Sequence, residues 1–319
     1  MTANYFITGA FGCIGSWTAY HLVKSGKNVV AFDIVDTGHR LDYLLTPDEQ
    51  SAITVVKGDL SDFDQVKWAL DTHNITHIIH LAALQVPFCR NDPVRGAQVN
   101  VVGTVNVFEA ARQLGIKHLT YASSIAIYGT PDDYPPGPIQ HDAAPSPRTL
   151  YGVYKVANEG TANIYWQDHQ LSSIALRPYT IYGVGRDQGL TSDPTKAMLA
   201  AAIGRNFNIN FGGEIQFQLA SDVAQQFIHA AETPADGAYA FNLSGETVTI
   251  PQVIDYIKAI KPDAHLTFTD QPLPFPDTFD DTAIKQHTDQ IYNTPLTDGI
   301  TQTITMFERL IADGRLKVD

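Results

Sequence analysis

Ile7-Thr8-Gly9-Ala10-Phe11-Gly12-Cys13-Ile14-Gly15 sets three glycines at a Gly-x-x-Gly-x-x-Gly spacing. A short apolar run, Asn4 to Thr8, leads into it, and Ile14 to Lys24 leads out with the pattern of a helix. Strand, glycine turn and helix in that order build a cradle for a pyrophosphate. The glycines let the backbone turn tightly and approach a ligand closely, and the first amides of a helix are unpaired and carry partial positive charge. Glycines alone only mark turns; these flanks make the loop a dinucleotide site.

Working outward, apolar runs rich in β-branched residues recur at Tyr5–Thr8, Asn28–Asp33, Ile53–Lys57, Ile75–His80 and His118–Ser123. Helical patterns lie between them at Ile14–Ser25, Asp62–His73 and Val94–Leu114. This alternation predicts an α/β chain of Rossmann type, a doubly wound parallel sheet whose strands are apolar throughout because helices cover both faces. Ile174–Arg177 and Tyr239–Leu243 read as two further strands. Pro131 to Pro147 is rich in proline, glycine and aspartate and reads as a loop over the sheet. After Pro178 the alternation weakens, with Gly183, Gly185, Gly189, Gly212 and Gly213 and then Gln271-Pro272-Leu273-Pro274-Phe275-Pro276. The expected division is residues 1–177 as an NAD-binding domain, joined by a strand from about 238–243, and 178–319 mainly as a smaller C-terminal substrate-binding lobe over the carboxyl edge of the sheet.

Asp33 ends the second strand, and an acid there can accept hydrogen bonds from both hydroxyls of an adenosine ribose while repelling a 2′-phosphate. That favours NAD over NADP, although Arg40 nearby leaves NADP open. Tyr151-Gly152-Val153-Tyr154-Lys155 supplies Tyr-x-x-x-Lys, which on a helix places Tyr151 and Lys155 on one face. A nearby ammonium is expected to lower the phenol's pKa enough for it to exchange a proton with a substrate hydroxyl. With 14 tyrosines in the chain the spacing is weak by itself. Its setting adds weight: Tyr121-Ala122-Ser123-Ser124-Ile125-Ala126-Ile127-Tyr128-Gly129 ends a strand with two serines where ligands bind.

Taken together, these residues resemble the extended short-chain dehydrogenase/reductase superfamily, and within it the NAD-dependent epimerase/dehydratase family. The marks stand in the family's order: the glycine loop, Asp33, Gly58-Asp59-Leu60, His80-Leu81-Ala82-Ala83, Asn100-Val101-Val102-Gly103-Thr104, Ser123-Ser124, Tyr151-x-x-x-Lys155, Arg177-Pro178 and Asp222-Val223-Ala224. The resemblance implies a cofactor site of Gly9, Phe11, Gly12, Cys13, Ile14, Gly15, Asp33, Asp59, Leu60, Leu81, Ala82, Ala83, Asn100, Ser123, Tyr151, Lys155 and Pro178. Asp59 and Leu60 would line the adenine. Ser124 would be the catalytic serine, Tyr151 the acid/base, and Lys155 the residue that holds the nicotinamide ribose and tunes Tyr151. Gln85, Ser124, Ile125, Tyr151 and Thr180 would face substrate, with Arg148 and Arg186 the candidates to bind an anionic one. Members of this family commonly form homodimers through two long helices per subunit, here Val94–Leu114 and Tyr151–Gln170.

Departures from the family's pattern bear on function. Ile125 and Ala126 stand where 4,6-dehydratases carry an Asp-Glu pair, which excludes that elimination. Thr180 replaces an asparagine usual in nucleotide-sugar epimerases. Counting back from Asp222 puts Ile215 where an arginine grips the sugar diphosphate, and an apolar side chain cannot pair a phosphate. The first reading is an epimerase of a sugar or sugar derivative that keeps its NAD bound. The alternative is an NAD-dependent dehydrogenase of a small sugar, polyol or sugar acid. A non-enzymatic NAD sensor is a third, less favoured because both Tyr151 and Lys155 are present.

Composition narrows the partners. The 319 residues carry 21 basic and 34 acidic side chains, a net charge of −13, which disfavours nucleic acid and anionic membrane surfaces. Two cysteines, Cys13 and Cys89, argue against a structural disulfide, and the 11 scattered histidines offer no metal-ligand spacing, so no metal is expected. The apolar runs are short for a membrane span, and a strand beginning almost at Met1 leaves no room for a signal peptide, so a cytoplasmic location is expected.

Overall fold

The computed structural model describes residues 3–318; Met1, Thr2 and Asp319, which the expected domain limits include, lie outside the described residues. The main sheet contains β1 (Asn4–Thr8), β2 (Asn28–Asp33), β3 (Ile53–Lys57), β4 (His77–His80), β5 (His118–Ala122), β6 (Ser173–Arg177) and the late strand Ala238–Asn242. Their order is β3-β2-β1-β4-β5-β6 and then Ala238–Asn242, all parallel.

Side-chain alternation divides the buried residues between two helical layers. Tyr5 and Ile7 face a core shared with Ala19 and Leu22 of the first helix (Cys13–Lys24) and Phe227 of the helix Ala220–Glu232. Phe6 faces the opposite way, toward Val66 and Leu70 of Phe63–Thr72 and Phe108 of Gly103–Leu114. Helices cover both faces of the central strands, which is why the interiors of the strands are almost wholly apolar and their polar residues stand mostly at the ends. Strand order reverses between β1 and β4, opening a crevice at their carboxyl ends.

Most expected limits hold to within a residue, and two expectations differ by more. The strand expected from Ile75 begins at His77, because the chain first turns through Asn74, in the left-handed region at φ 48°. The single helix expected over 94–114 is three pieces: Pro93–Ala97, a π-helical turn at Gln98–Val102, and Gly103–Leu114. Such a bulge re-aims side chains within an otherwise continuous helix.

After β6 the chain builds a smaller C-terminal lobe. Thr180–Tyr182, Glu214–Leu219 and Glu246–Thr249 form a three-stranded sheet, and Phe207–Ile209 pairs with Leu266–Phe268. Ile215, Phe217, Ile257, Ile300 and Phe307 pack into its core together with Ile125, Ile127 and Tyr128 from the segment after β5. The lobe is thereby joined to the turn that carries Ser124.

Candidate active site

A cleft of about 700 Å³ lies over the crevice between β1 and β4, within the range of small-molecule and cofactor sites. Its floor requires glycine. Gly9 has φ +66° and approaches the loop after β4 so closely that a Cβ there would stand 2.7 Å from the Ala82 Cα. A Cβ on Gly15 would stand 2.1 Å from the Gly9 carbonyl oxygen. The first helix begins with Gly12 as its N-cap, without a side-chain cap and without an acid in its first turn. Its leading N–H groups are left for an anion.

Beside the loop, Asp33 Oδ2 accepts a hydrogen bond from the Phe11 amide at 3.1 Å. Arg40 is fully committed. It donates to the carbonyls of Phe11 and Gly185, each at 2.9 Å, and pairs with Asp187 at 2.5 Å. It therefore does not stand free to receive a 2′-phosphate. Trp17 donates to the Val184 carbonyl at 2.9 Å, so two side chains fasten the 183–187 loop to the glycine-loop side of the cleft.

The other end of the cleft is built on the helix Leu150–His169. Thr149 caps it by accepting from the Gly152 amide at 3.0 Å. Gly152 packs on the turn after Ser124; a Cβ there would meet the Ala126 carbonyl oxygen at 2.1 Å. This contact sets Tyr151 beside the turn that carries Ser124, and both residues line the cleft. Ser124 Oγ accepts from the Ala126 amide at 3.1 Å, which orients the hydroxyl. Lys155 is buried one turn along, donates to the Ala122 carbonyl, and lies 5.5 Å from the centre of the Tyr151 ring.

Burial works against the expected lowering of the phenol. Burial pushes the Tyr151 phenol up to about 12, and the neighbouring Ser124 hydroxyl and the charge of Arg186 oppose this. Burial pushes Lys155 itself down to about 8.

All the residues expected to bind cofactor line this cleft except Asn100. Asn100 is buried within the π-helical turn, where it accepts from the Leu84 amide at 2.7 Å and donates to the Leu84 carbonyl at 2.9 Å. It holds the loop after β4 from behind. Of the substrate candidates, Gln85, Ser124, Ile125, Tyr151 and Arg186 line the cleft, whereas Thr180 and Arg148 do not. Thr180 lies on a strand whose neighbours Tyr179 and Ile181 face the cleft, so its own side chain points the other way. Arg148 is exposed and paired with Asp133 at 2.5 Å. Cys89 is buried and donates to the Leu84 carbonyl at 3.1 Å; it packs beside the site. Arg95, Tyr179, Gln188, Leu190, Thr191 and Phe275 also line the cleft and were not singled out from sequence. Arg95 had a signal in the acid it serves, since it pairs with Asp59 at 2.9 Å.

Comparison with known proteins decides the family. A model of the NAD dependent epimerase/dehydratase family matches residues 5–244. This chain belongs to the NAD-dependent epimerase/dehydratase family.

Like other members it is an NAD-dependent enzyme of the extended short-chain dehydrogenase/reductase type. The UDP-glucose 4-epimerase of Mycolicibacterium smegmatis is 33% identical over 245 residues, covering 74% of this chain and 75% of that protein. The Thermus thermophilus UDP-glucose 4-epimerase, solved with NAD, superposes with a TM-score of 0.81 at 24% identity, covering 95% of this chain and 98% of that one. The L-threonine dehydrogenase of Clostridium difficile superposes equally well, with a TM-score of 0.85 at 21% identity over 97% of this chain and 98% of its own. The same fold thus serves epimerases and dehydrogenases.

The residues present fit NAD: a glycine cradle that a single Cβ would fill, an uncapped helix start, and Asp33 on the rim. Beneath the site, Glu159 accepts from Ser123 Oγ at 2.5 Å and pairs with Arg177 at 2.7 Å. This buried pair binds the Tyr151 helix to the end of β6. Ile215, at the position of the family's diphosphate grip, is 1% exposed and belongs to the lobe's core.

Proposed function

We propose that this enzyme epimerises a carbinol centre of a sugar derivative, using Tyr151 as acid/base. The observation that carries the reading is that Ser124, Tyr151 and Lys155 line the same cleft as the glycine loop, with Lys155 one turn along the helix from Tyr151. Bound NAD supplies the hydride acceptor and donor. The glycine loop, the first helix and Asp33 would hold it, with Lys155 on the nicotinamide ribose. As the phenolate, which Arg186, Lys155 and the cationic nicotinamide of bound NAD would favour, Tyr151 takes the proton of the substrate hydroxyl, and Ser124 donates a hydrogen bond to the same oxygen. Once the ketone has presented its other face, Tyr151 returns the proton. Arg40 and Trp17, which fasten the 183–187 loop across the cleft, support retention of the cofactor between the two half-reactions.

A second reading, a dehydrogenase that releases reduced cofactor to act on a small sugar, polyol or sugar acid, is favoured by Ile215. Its burial leaves no guanidinium at that position for a sugar diphosphate. We also place the protein in the cytoplasm as a homodimer. Val102, Leu150, Val153 and Ile164, exposed on the two long helical segments, support the dimer, and no described helix is long and apolar enough to cross a membrane.

The test of the chemistry is Tyr151→Phe. It should abolish turnover of any substrate the wild type accepts and leave NAD binding within a few-fold. Undiminished turnover would remove Tyr151 from the role.

A further inference from the structure

Four cationic side chains line the cleft: Arg40, Arg95, Lys155 and Arg186. Three are spoken for. Arg40 pairs with Asp187, Arg95 with Asp59, and Lys155 donates to the Ala122 carbonyl. Arg186 differs. Among the described residues no carboxylate stands within 4.0 Å of its guanidinium. Its Nε is buried without a hydrogen-bond partner, and Nη2 donates only to Thr191 Oγ1, at 3.2 Å. Its sequence neighbour Asp187, which would ordinarily neutralise it, is turned to Arg40 and His39. Arginine stays charged when buried, so an unmatched guanidinium is retained at a cost that a ligand anion can offset.

Its surroundings are shaped to converge. Gly189, at φ +101°, lies against both Gln85 and Arg186: a Cβ there would stand 2.3 Å from Gln85 Oε1 and 3.0 Å from Arg186 Nη2. Gln85, Thr191 and Arg186 therefore form one polar corner within electrostatic reach of Tyr151.

We propose that Arg186, with Gln85 and Thr191 beside it, binds a carboxylate on the substrate, so that the enzyme acts on acidic sugar derivatives. One guanidinium with two neutral polar neighbours matches a single charge and a planar, two-oxygen group. A dianionic phosphate would call for a second free cation, and the other three are paired or bonded. The NAD pyrophosphate is the rival anion, since Arg186 also acts on Cys13 at the start of the first helix. The uncapped amides of that helix already provide for it. This proposal rests on the reading of the cleft as a Tyr151-dependent hydride-transfer site.

The test is binding to NAD-saturated protein, by calorimetry, of D-glucuronate, D-galacturonate and D-gluconate against D-glucose and D-galactose. Wild type should bind at least one acid better than its neutral counterpart. R186Q should weaken that acid about 30-fold or more and leave the neutral sugars and the NAD dissociation constant unchanged. R186K, which keeps the charge but not the two-pronged geometry, should fall between and guards against a fold that fails with glutamine. Acids that bind no better than neutral sugars to wild type, or fail to bind, would overturn the proposal. So would weakened NAD binding in R186Q with acid preference intact, which assigns Arg186 to the pyrophosphate. The Y151F variant separates the two readings: it should still bind acids through Arg186 while losing turnover, and turnover that persists would sink the hydride-transfer reading alone.

Discussion

The two walls of the cleft are made of different material. The wall proposed for the cofactor is mostly backbone: a glycine cradle, open helix amides and the close approach of Gly9 to Ala82. The wall proposed for the substrate is mostly side chain: Gln85, Tyr151, Tyr179, Arg186, Thr191 and Phe275, drawn from segments far apart in the chain. Arg40 and Arg186 condense the difference. One is saturated by Phe11, Gly185 and Asp187 and serves as a fastening; the other is left unmatched and faces the cleft. On this account a wall of backbone would recognise the cofactor, and a wall of side chains would set the choice of substrate.

Changes to one wall should therefore leave the other's property alone. The largest effect is expected from Tyr151→Phe, a loss of about 10²–10⁴-fold in turnover, typical of removing a general acid/base, with NAD titrations nearly unchanged. Next, Asp33→Ala should weaken NAD by about ten- to a hundredfold, the scale of a hydrogen bond to a charged group. Substrate preference at saturating NAD should not move; if it did, the walls would not be independent. Asp187→Asn removes the carboxylate charge that binds Arg40 and His39. It should raise the rate of NAD dissociation several-fold in stopped-flow exchange, and an unchanged rate would show that this fastening does not retain the cofactor.

A smaller effect concerns Lys155. Its folded pKa of about 8 lies below the ordinary value of 10.5, so between these limits the unfolded chain holds a proton that the folded one has released. Ligand-free stability should then rise with pH from about 8 until tyrosines of the unfolded chain begin to ionise near 10, by at most about 1.4 kcal/mol per pH unit. Denaturant titrations of wild type minus Lys155→Met across that window isolate the slope; a difference falling with pH would reverse the assignment.

The contrast between the walls also explains what could be read from sequence. β2 and β3 have the limits expected from their apolar runs, and the glycine loop sits at the switch of strand order, because local pattern and backbone geometry determine both. The sequence mark at Asn100 points to the cofactor, yet a π-helical turn directs its side chain to the Leu84 backbone behind the loop. Thr180 and Arg148 failed on direction: a strand's alternation turns one away and Asp133 draws off the other. No local pattern signals that Phe275 reaches the cleft, or that Asp187 turns to Arg40 and leaves Arg186 unmatched. Those facts exist only once distant segments meet.

The most direct test of the account is the near-ultraviolet absorbance of reduced nicotinamide when the NAD-loaded enzyme meets sugars and sugar acids, read beside chromatography of the product. The account predicts at most one equivalent of reduced cofactor, kept on the protein, together with a new epimer that Tyr151→Phe does not form. Reduced cofactor accumulating in solution over many turnovers, with an oxidised product and no epimer, would contradict it and establish the dehydrogenase.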